Sequence, residues 1–279
     1  MFCWIEKVGS DSFKSLLGCR TYDNRTGCDT GVLPRPGPVP RKSNETVDQS
    51  RMRTILDPTW RKAVFFRDPL DRFLSGYLSK CDPRSTDPKW VCKHVFGSER
   101  ASFERAVVTL DSHRKSGCLI DCHFAPQTQH CGGRQAMPHF DAQTLEPSTS
   151  RQRVEHMLYS ANISAPALDR TFPRGGLTHT THSHVQAAHH RVESYFTNVT
   201  HLAIVVAFYF DDYVSLHLPL PEFALTALRH ASQRNGGVPP APLTSDQWSR
   251  LLPTATAGRR ARAVVTPAGG LVVHNCTRA

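Results

Sequence analysis

The sequence predicts an α/β fold, and two stretches carry that prediction: Ala63–Tyr77 (AVFFRDPLDRFLSGY) and Phe2–Leu17 (FCWIEKVGSDSFKSLL). Each reads as a strand, a tight turn and a helix, the repeating unit of α/β architectures. In the first, Ala63-Val64-Phe65-Phe66 is a short apolar run with β-branched and aromatic residues, as a buried strand has. Arg67-Asp68-Pro69 ends it, because proline fixes its own φ and pushes the preceding residue out of the α region. Asp68 then suits the N-cap and Pro69 the first helical position. Leu70, Phe73, Leu74 and Tyr77 recur at helical spacing and define one apolar face. Such a junction presents free backbone N–H groups and the positive end of a helix dipole, a site for an anion. Arg67 adds a charged fork matched to phosphate, and Ser75, two turns in, adds a hydroxyl. On the plainer reading the same stretch is a buried strand feeding an amphipathic helix, with Arg67 and Arg72 on the surface.

The other elements follow in order. Phe2-Cys3-Trp4-Ile5 reads as a strand, Glu6–Ser12 as the loop after it, and Phe13–Leu17 as the start of a helix. Gly9 sits where a backbone must approach something closely. G-x-x-x-x-G-K-[ST] is absent, so this is not a Walker A loop. Residues 20–50 are polar and proline-dense, as an exposed loop is. Residues 81–93 read as a loop with turns at Asp82-Pro83 and Asp87-Pro88. Ser102–Leu110 and Arg151–Ser160 have helical apolar spacing. Residues 178–190 are histidine-rich and read as a polar loop, the helical pattern resuming from Val185. The apolar segment from Val199 to Tyr209 belongs to the core. Gly236–Pro242 has linker composition, and Gly258–Arg262 opens a basic tail.

The totals bound the function. Thirty-four Lys and Arg against 24 acids give a formal charge of +10, which favours anionic partners. No basic run is interleaved with aromatics as in a nucleic-acid surface, so nucleic acid is not the expected partner. The nine cysteines include no C-x-x-C pair, which argues against zinc at Cys118, Cys122, His123 and Cys131. Sequons at Asn24, Asn44, Asn162, Asn198 and Asn275, beside these cysteines, point to an oxidising secretory lumen and to disulfides. No apolar run is long enough to span a bilayer, so a targeting or anchoring segment is expected upstream.

Arg67-Asp68-Pro69-x-x-Arg72-x-x-Ser75-x-Tyr77 closely resembles the 3′-phosphate motif of sulfotransferases. Lys7, Gly9, Ser10 and Lys14, with Phe13 for a tryptophan, resemble the 5′-phosphosulfate loop of Golgi carbohydrate sulfotransferases of the chondroitin/dermatan 4-O type. Glu6 stands where that loop usually has proline, and Asp11 where it has threonine. Asp121-x-His123-Phe124-x-Pro126-Gln127…Cys131, Phe140–Glu146 and Tyr195–Tyr213 resemble further segments of the family, in the same order.

The resemblance implies a P-loop-like fold, a central parallel sheet flanked by helices, over 1–218. A C-terminal extension, partly irregular, follows over 219–279. It also implies transfer of a sulfuryl group from 3′-phosphoadenosine 5′-phosphosulfate to a glycan or proteoglycan hydroxyl, in the Golgi lumen or on its membrane, with no metal. Lys7, Val8, Gly9, Ser10, Ser12 and Lys14 would hold the phosphosulfate, and Arg67 and Ser75 the 3′-phosphate. Lys7 would also act in catalysis, and His123 would take the acceptor proton, as a side chain that titrates near neutrality can. Glu146 lies near the acceptor or in a salt bridge. Cys131 falls to a disulfide. Two other readings stay open: a non-catalytic glycan-binding glycoprotein disabled at Asp11, and a nucleotide kinase.

Overall fold

The computed structural model describes residues 2–3, 5, 7–8, 12–13, 16, 47–59, 61–87, 89–117, 120–145, 149–160, 162, 168–172 and 191–252. Gly9, Ser10, Lys14 and Glu146 lie outside the described residues. So do Glu6, Asp11, Cys19, Cys28, Cys118, the histidine-rich 178–190 stretch and the basic tail.

Three parallel strands form the described sheet in the order β1 (Phe2–Cys3), β2 (Ala63–Phe66), β3 (Asp141–Thr144). Phe2 pairs with Ala63, and Ala63 with Asp141. The central strand is buried at all four positions, as its unbroken apolar run requires when both faces are covered. β3 reads Asp-Ala-Gln-Thr and is exposed or half-buried. Its register continues past the strand, where Leu145 N donates to Phe66 O at 2.5 Å.

The described helices include α1 (Val47–Leu56), α2 (Pro69–Lys80), α3 (Trp90–Phe96), α4 (Phe103–Ser116), α5 (Ser150–Ser160), α6 (Leu168–Thr171), α7 (Val199–Phe208), α8 (Phe210–Ser215), α9 (Glu222–Arg234) and α10 (Ser245–Leu251). Two of them correct the loop readings. α1 runs into the stretch expected to be loop; in its sequence VDQSRMRTIL apolar residues are few, with Ile55 buried and Met52 packed against the core, too little for a visible stripe. α3 replaces the end of the loop expected over 81–93, from Trp90 onward. Its Val91, Cys92, Val95 and Phe96 are buried, and Gly97 ends it at φ 73°.

α2 begins as expected: Asp68 accepts from Asp71 N at 3.0 Å and Pro69 opens the helix. Its single apolar face is a correction. Pro69 to Ser79 are all buried, so the helix runs through the core with covered polar groups on every side. Aromatic rings fill the space on either side of β2. Phe13 lies against Phe65 at 4.9 Å between centroids, and Phe73 contacts Phe103, Phe124, Phe196 and Tyr209. In the C-terminal segment Leu225, Leu228 and Trp248 join this core, and the stretch with linker composition is the turn between α9 and α10.

Two disulfides occur among the described residues, Cys3–Cys131 and Cys81–Cys92. The first ties β1 to the segment after His123 across 128 residues, so it removes much loop entropy from the unfolded chain. Replacing both Cys3 and Cys131 with serine is expected to lower stability by about 2–5 kcal/mol in denaturant unfolding.

Candidate functional site

The β2–α2 junction is held from three sides. Arg67 is buried, and its Nε and Nη2 donate to Asp71 Oδ2 and Oδ1 at 2.7 and 2.8 Å, a two-pronged ion pair one turn apart. Its Nη1 reaches Lys7 O at 3.3 Å, joining the two strand–turn–helix units. Its backbone exchanges two hydrogen bonds with the Gln127 amide: Arg67 N to Oε1 at 3.0 Å and Nε2 to Arg67 O at 2.8 Å. The arginine expected to meet a phosphate is therefore fixed by the fold before any ligand arrives. Ser75 is the opposite case. It is 1 % exposed, and its Oγ has no hydrogen-bond partner among the described residues. A buried hydroxyl left unpaired costs free energy, so this atom needs an explanation.

The segment 121–128 lies over α2. Arg72, expected at the surface on the plainer reading, is fully buried and donates from Nη1 to Ala125 O at 2.6 Å and from Nη2 to Cys122 O at 2.9 Å. Asp212 accepts from Gln127 N, Thr128 N and Thr128 Oγ1 at 2.7, 2.8 and 2.9 Å. Burial pushes its carboxyl up, and these bonds with the Arg72 charge work against that. Tyr209 donates to Phe124 O at 2.7 Å and Tyr213 to Asp68 Oδ2 at 3.2 Å. Gly76 makes room for the segment: a Cβ there would meet Phe124 Cε1 at 2.9 Å and His123 O at 3.2 Å.

His123 stands on this frame, partly open to solvent, with Nδ1 at 2.6 Å from Asp121 Oδ1. The same oxygen accepts from His123 N at 3.0 Å. Burial acts to raise the Asp121 pKa, but these bonds and the Lys80 charge outweigh it and hold the carboxyl below its usual range. An ionised Asp121 makes Nδ1 the protonated nitrogen and leaves Nε2 with its lone pair. The ligand atoms of Asp121, Cys122 and His123 all lie within 4.8 Å of one another, but Cys122 is disulfide-bonded and has no thiolate for a metal.

Lys7 takes a left-handed φ of 65° and donates from Nζ to Ser79 Oγ at 2.6 Å. Ser79 in turn donates to Asp87 Oδ2, which also accepts from Lys80 Nζ at 3.2 Å. Lys7 and Arg67 are thus brought together directly, whereas Val8, Ser12 and Phe13 are buried beneath the turn. Sequence reasoning gave no role to Ser79, read Asp87 only as a turn residue, and met Asp121 and Asp212 only inside family-like segments, the latter assigned to the core. Only Asp121 had a local signal, its i, i+2 spacing to the histidine.

A sequence profile of the sulfotransferase family matches residues 1–218. An uncharacterized protein of Caenorhabditis elegans is 22% identical over 173 residues, covering 58% of this chain and 48% of its own length. The chain therefore spans about half of that relative. No solved structure matches it.

The junction has its own pH signature. Burial first, and then the Asp71 charge, push the Asp68 carboxyl up to about 7. A pKa raised in the folded state stabilises fully below the unfolded value and is lost as pH rises through the folded one. Stability of the wild type relative to Asp68→Asn is thus expected to fall as pH rises from about 4 to about 7, between the unfolded and folded pKa values, read by denaturant titration at each pH.

Proposed function

This chain belongs to the sulfotransferase family, and we propose that it is a carbohydrate sulfotransferase using 3′-phosphoadenosine 5′-phosphosulfate as donor and a glycan hydroxyl as acceptor. The observation that carries this reading is the orphaned Ser75 Oγ, two turns into the helix that opens at Arg67-Asp68-Pro69. A 3′-phosphate oxygen at that helix would satisfy the hydroxyl, while the helix N-terminus supplies positive field and Arg67 adds a charge it shares with Asp71.

In the reaction the acceptor oxygen attacks sulfur, the bond from sulfur to the 5′-phosphate oxygen breaks, and the hydroxyl proton goes to His123 Nε2. Asp121 keeps Nδ1 protonated and balances the imidazolium that forms. Lys7 neutralises charge on the departing phosphate. To do so its ammonium leaves Ser79 or shares it, a short movement of a flexible side chain. Arg67 and Ser75 hold the donor in line. The family match argues against the nucleotide-kinase reading, and the Asp121-supported His123 favours catalysis over glycan binding alone.

We place the protein in the lumen of the secretory pathway, in the Golgi. The Cys3–Cys131 and Cys81–Cys92 disulfides and the bonded Cys122 suit an oxidising compartment, and the sequon residues Asn162 and Asn198 are exposed. No helix among the described residues is long and apolar enough to cross a membrane.

The test is transfer of labelled sulfate from the donor to chondroitin and other glycans by the secreted, glycosylated protein. Activity is expected, and His123→Gln is expected to lower kcat by about 10²–10⁴-fold with donor affinity retained. Tight donor binding with no transfer to any glycan would leave the non-catalytic reading.

A further inference from the structure

The segment from Cys81 to Cys92 is closed by a disulfide and stands beside Lys7, because Ser79, to which Lys7 donates, also bonds Asp87 of that loop. The loop is built around Asp82. Its carboxylate takes Arg84 N, Nε and Nη2 at 2.9, 3.0 and 2.7 Å, and its carbonyl takes Lys89 Nζ at 2.7 Å. Ser85 Oγ donates to Ser79 O and accepts from Asp87 N at 2.5 and 3.1 Å, fixing the loop on the end of α2.

The charges here do not balance. Arg84 and Arg191 both act on Asp82, while Arg100 and Lys80 both act on Lys89. Six cations, Lys7, Lys80, Arg84, Lys89, Arg100 and Arg191, therefore lie around Asp82 and Asp87, and Lys80, Arg84 and Lys89 bond these two residues directly. Burial first, then the charges of Arg100 and Lys80, lower the Lys89 pKa although Asp82 and Asp87 pull the other way. Crowded cations of this kind are relieved by an anion. The Arg84 side chain is 72% exposed and so can reach one without leaving the loop. Next to Lys89, Trp90 is 60% exposed and offers a flat apolar face at the rim of this positive surface.

We propose that Arg84, Lys89, Arg100, Arg191 and Trp90 form the anchoring surface for an acidic glycan, taking a uronate carboxylate or a sulfate group of the acceptor chain while Trp90 covers a sugar ring. This rests on the transferase reading above, since it is the Lys7–Ser79–Asp87 connection that sets the surface beside the transferred group. The surface selects the acceptor, and the disulfide keeps Arg84 and Lys89 together in the absence of ligand.

The experiment compares binding of three probes by the full chain: a chondroitin oligosaccharide, its carboxyl-reduced neutral counterpart, and single-stranded DNA of matched charge. The chondroitin probe is expected to bind at least about tenfold more tightly than the neutral one, with an affinity that falls as salt rises. Arg84→Ala with Lys89→Ala is expected to remove most of that difference, and Trp90→Ala to weaken chondroitin without weakening DNA. Binding of 3′-phosphoadenosine 5′-phosphate, unchanged in the variants, shows that they are folded. Equal affinity for charged and neutral oligosaccharide overturns the proposal, as does chondroitin binding untouched by the substitutions or matched by DNA. Glycan binding that needs these residues in a chain that binds no adenine nucleotide supports the surface and overturns only the transferase reading.

Discussion

A buried polar pair anchors the site: the Arg72 guanidinium on α2 and the Asp212 carboxylate on α8, both fully enclosed, with the segment 122–128 between them. Arg72 grips two carbonyls of that segment, and Asp212 grips two backbone N–H groups and a hydroxyl. Burying either charge alone would be costly. Each is tolerated because the other, and the backbone groups of the segment, satisfy it. The two charges can only be paired this way when α2, the segment and α8 are all in place. The pair therefore fixes where Gln127 meets Arg67 and where His123 stands over Gly76.

The frame has a functional consequence. A histidine on a loop is imprecise unless the loop is tied down, and here its neighbours are tied at Cys122, Phe124, Ala125, Gln127 and Thr128. The Asp121 carboxylate then fixes the imidazole itself. By contrast, Ser75 Oγ is left without a hydrogen-bond partner among the described residues. Groups meant to act on a bound substrate need that latitude, while those that position them do not.

What could be read from the sequence follows from how local each signal is. Ala63–Tyr77 announced its strand, cap and helix within a few residues, and Ser102 and Pro69 marked helix starts by known capping chemistry. α1 and α3 were missed because the first buries few apolar residues and the second is one short helix after a run of turn residues. β3 has no hydropathy signal, being polar and only half-covered, and showed itself only through family likeness. Arg72 read as a surface charge because nothing nearby reveals that its partners lie 50 residues away and beyond. The same distance hid Asp212, whose contacts with Gln127 and Thr128 span 84 and 85 residues.

The central claim, that the β2–α2 junction recognises a 3′-phosphate, is tested most directly by titration calorimetry. The comparison is of 3′-phosphoadenosine 5′-phosphate with adenosine 5′-phosphate, which lacks that group. A Kd on the order of micromolar is expected for the first, at least about tenfold weaker binding for the second, and loss of most of that gap in Ser75→Ala. Equal affinity for the two nucleotides would contradict it, and the junction would then be a structural inheritance of the fold with no part in donor recognition.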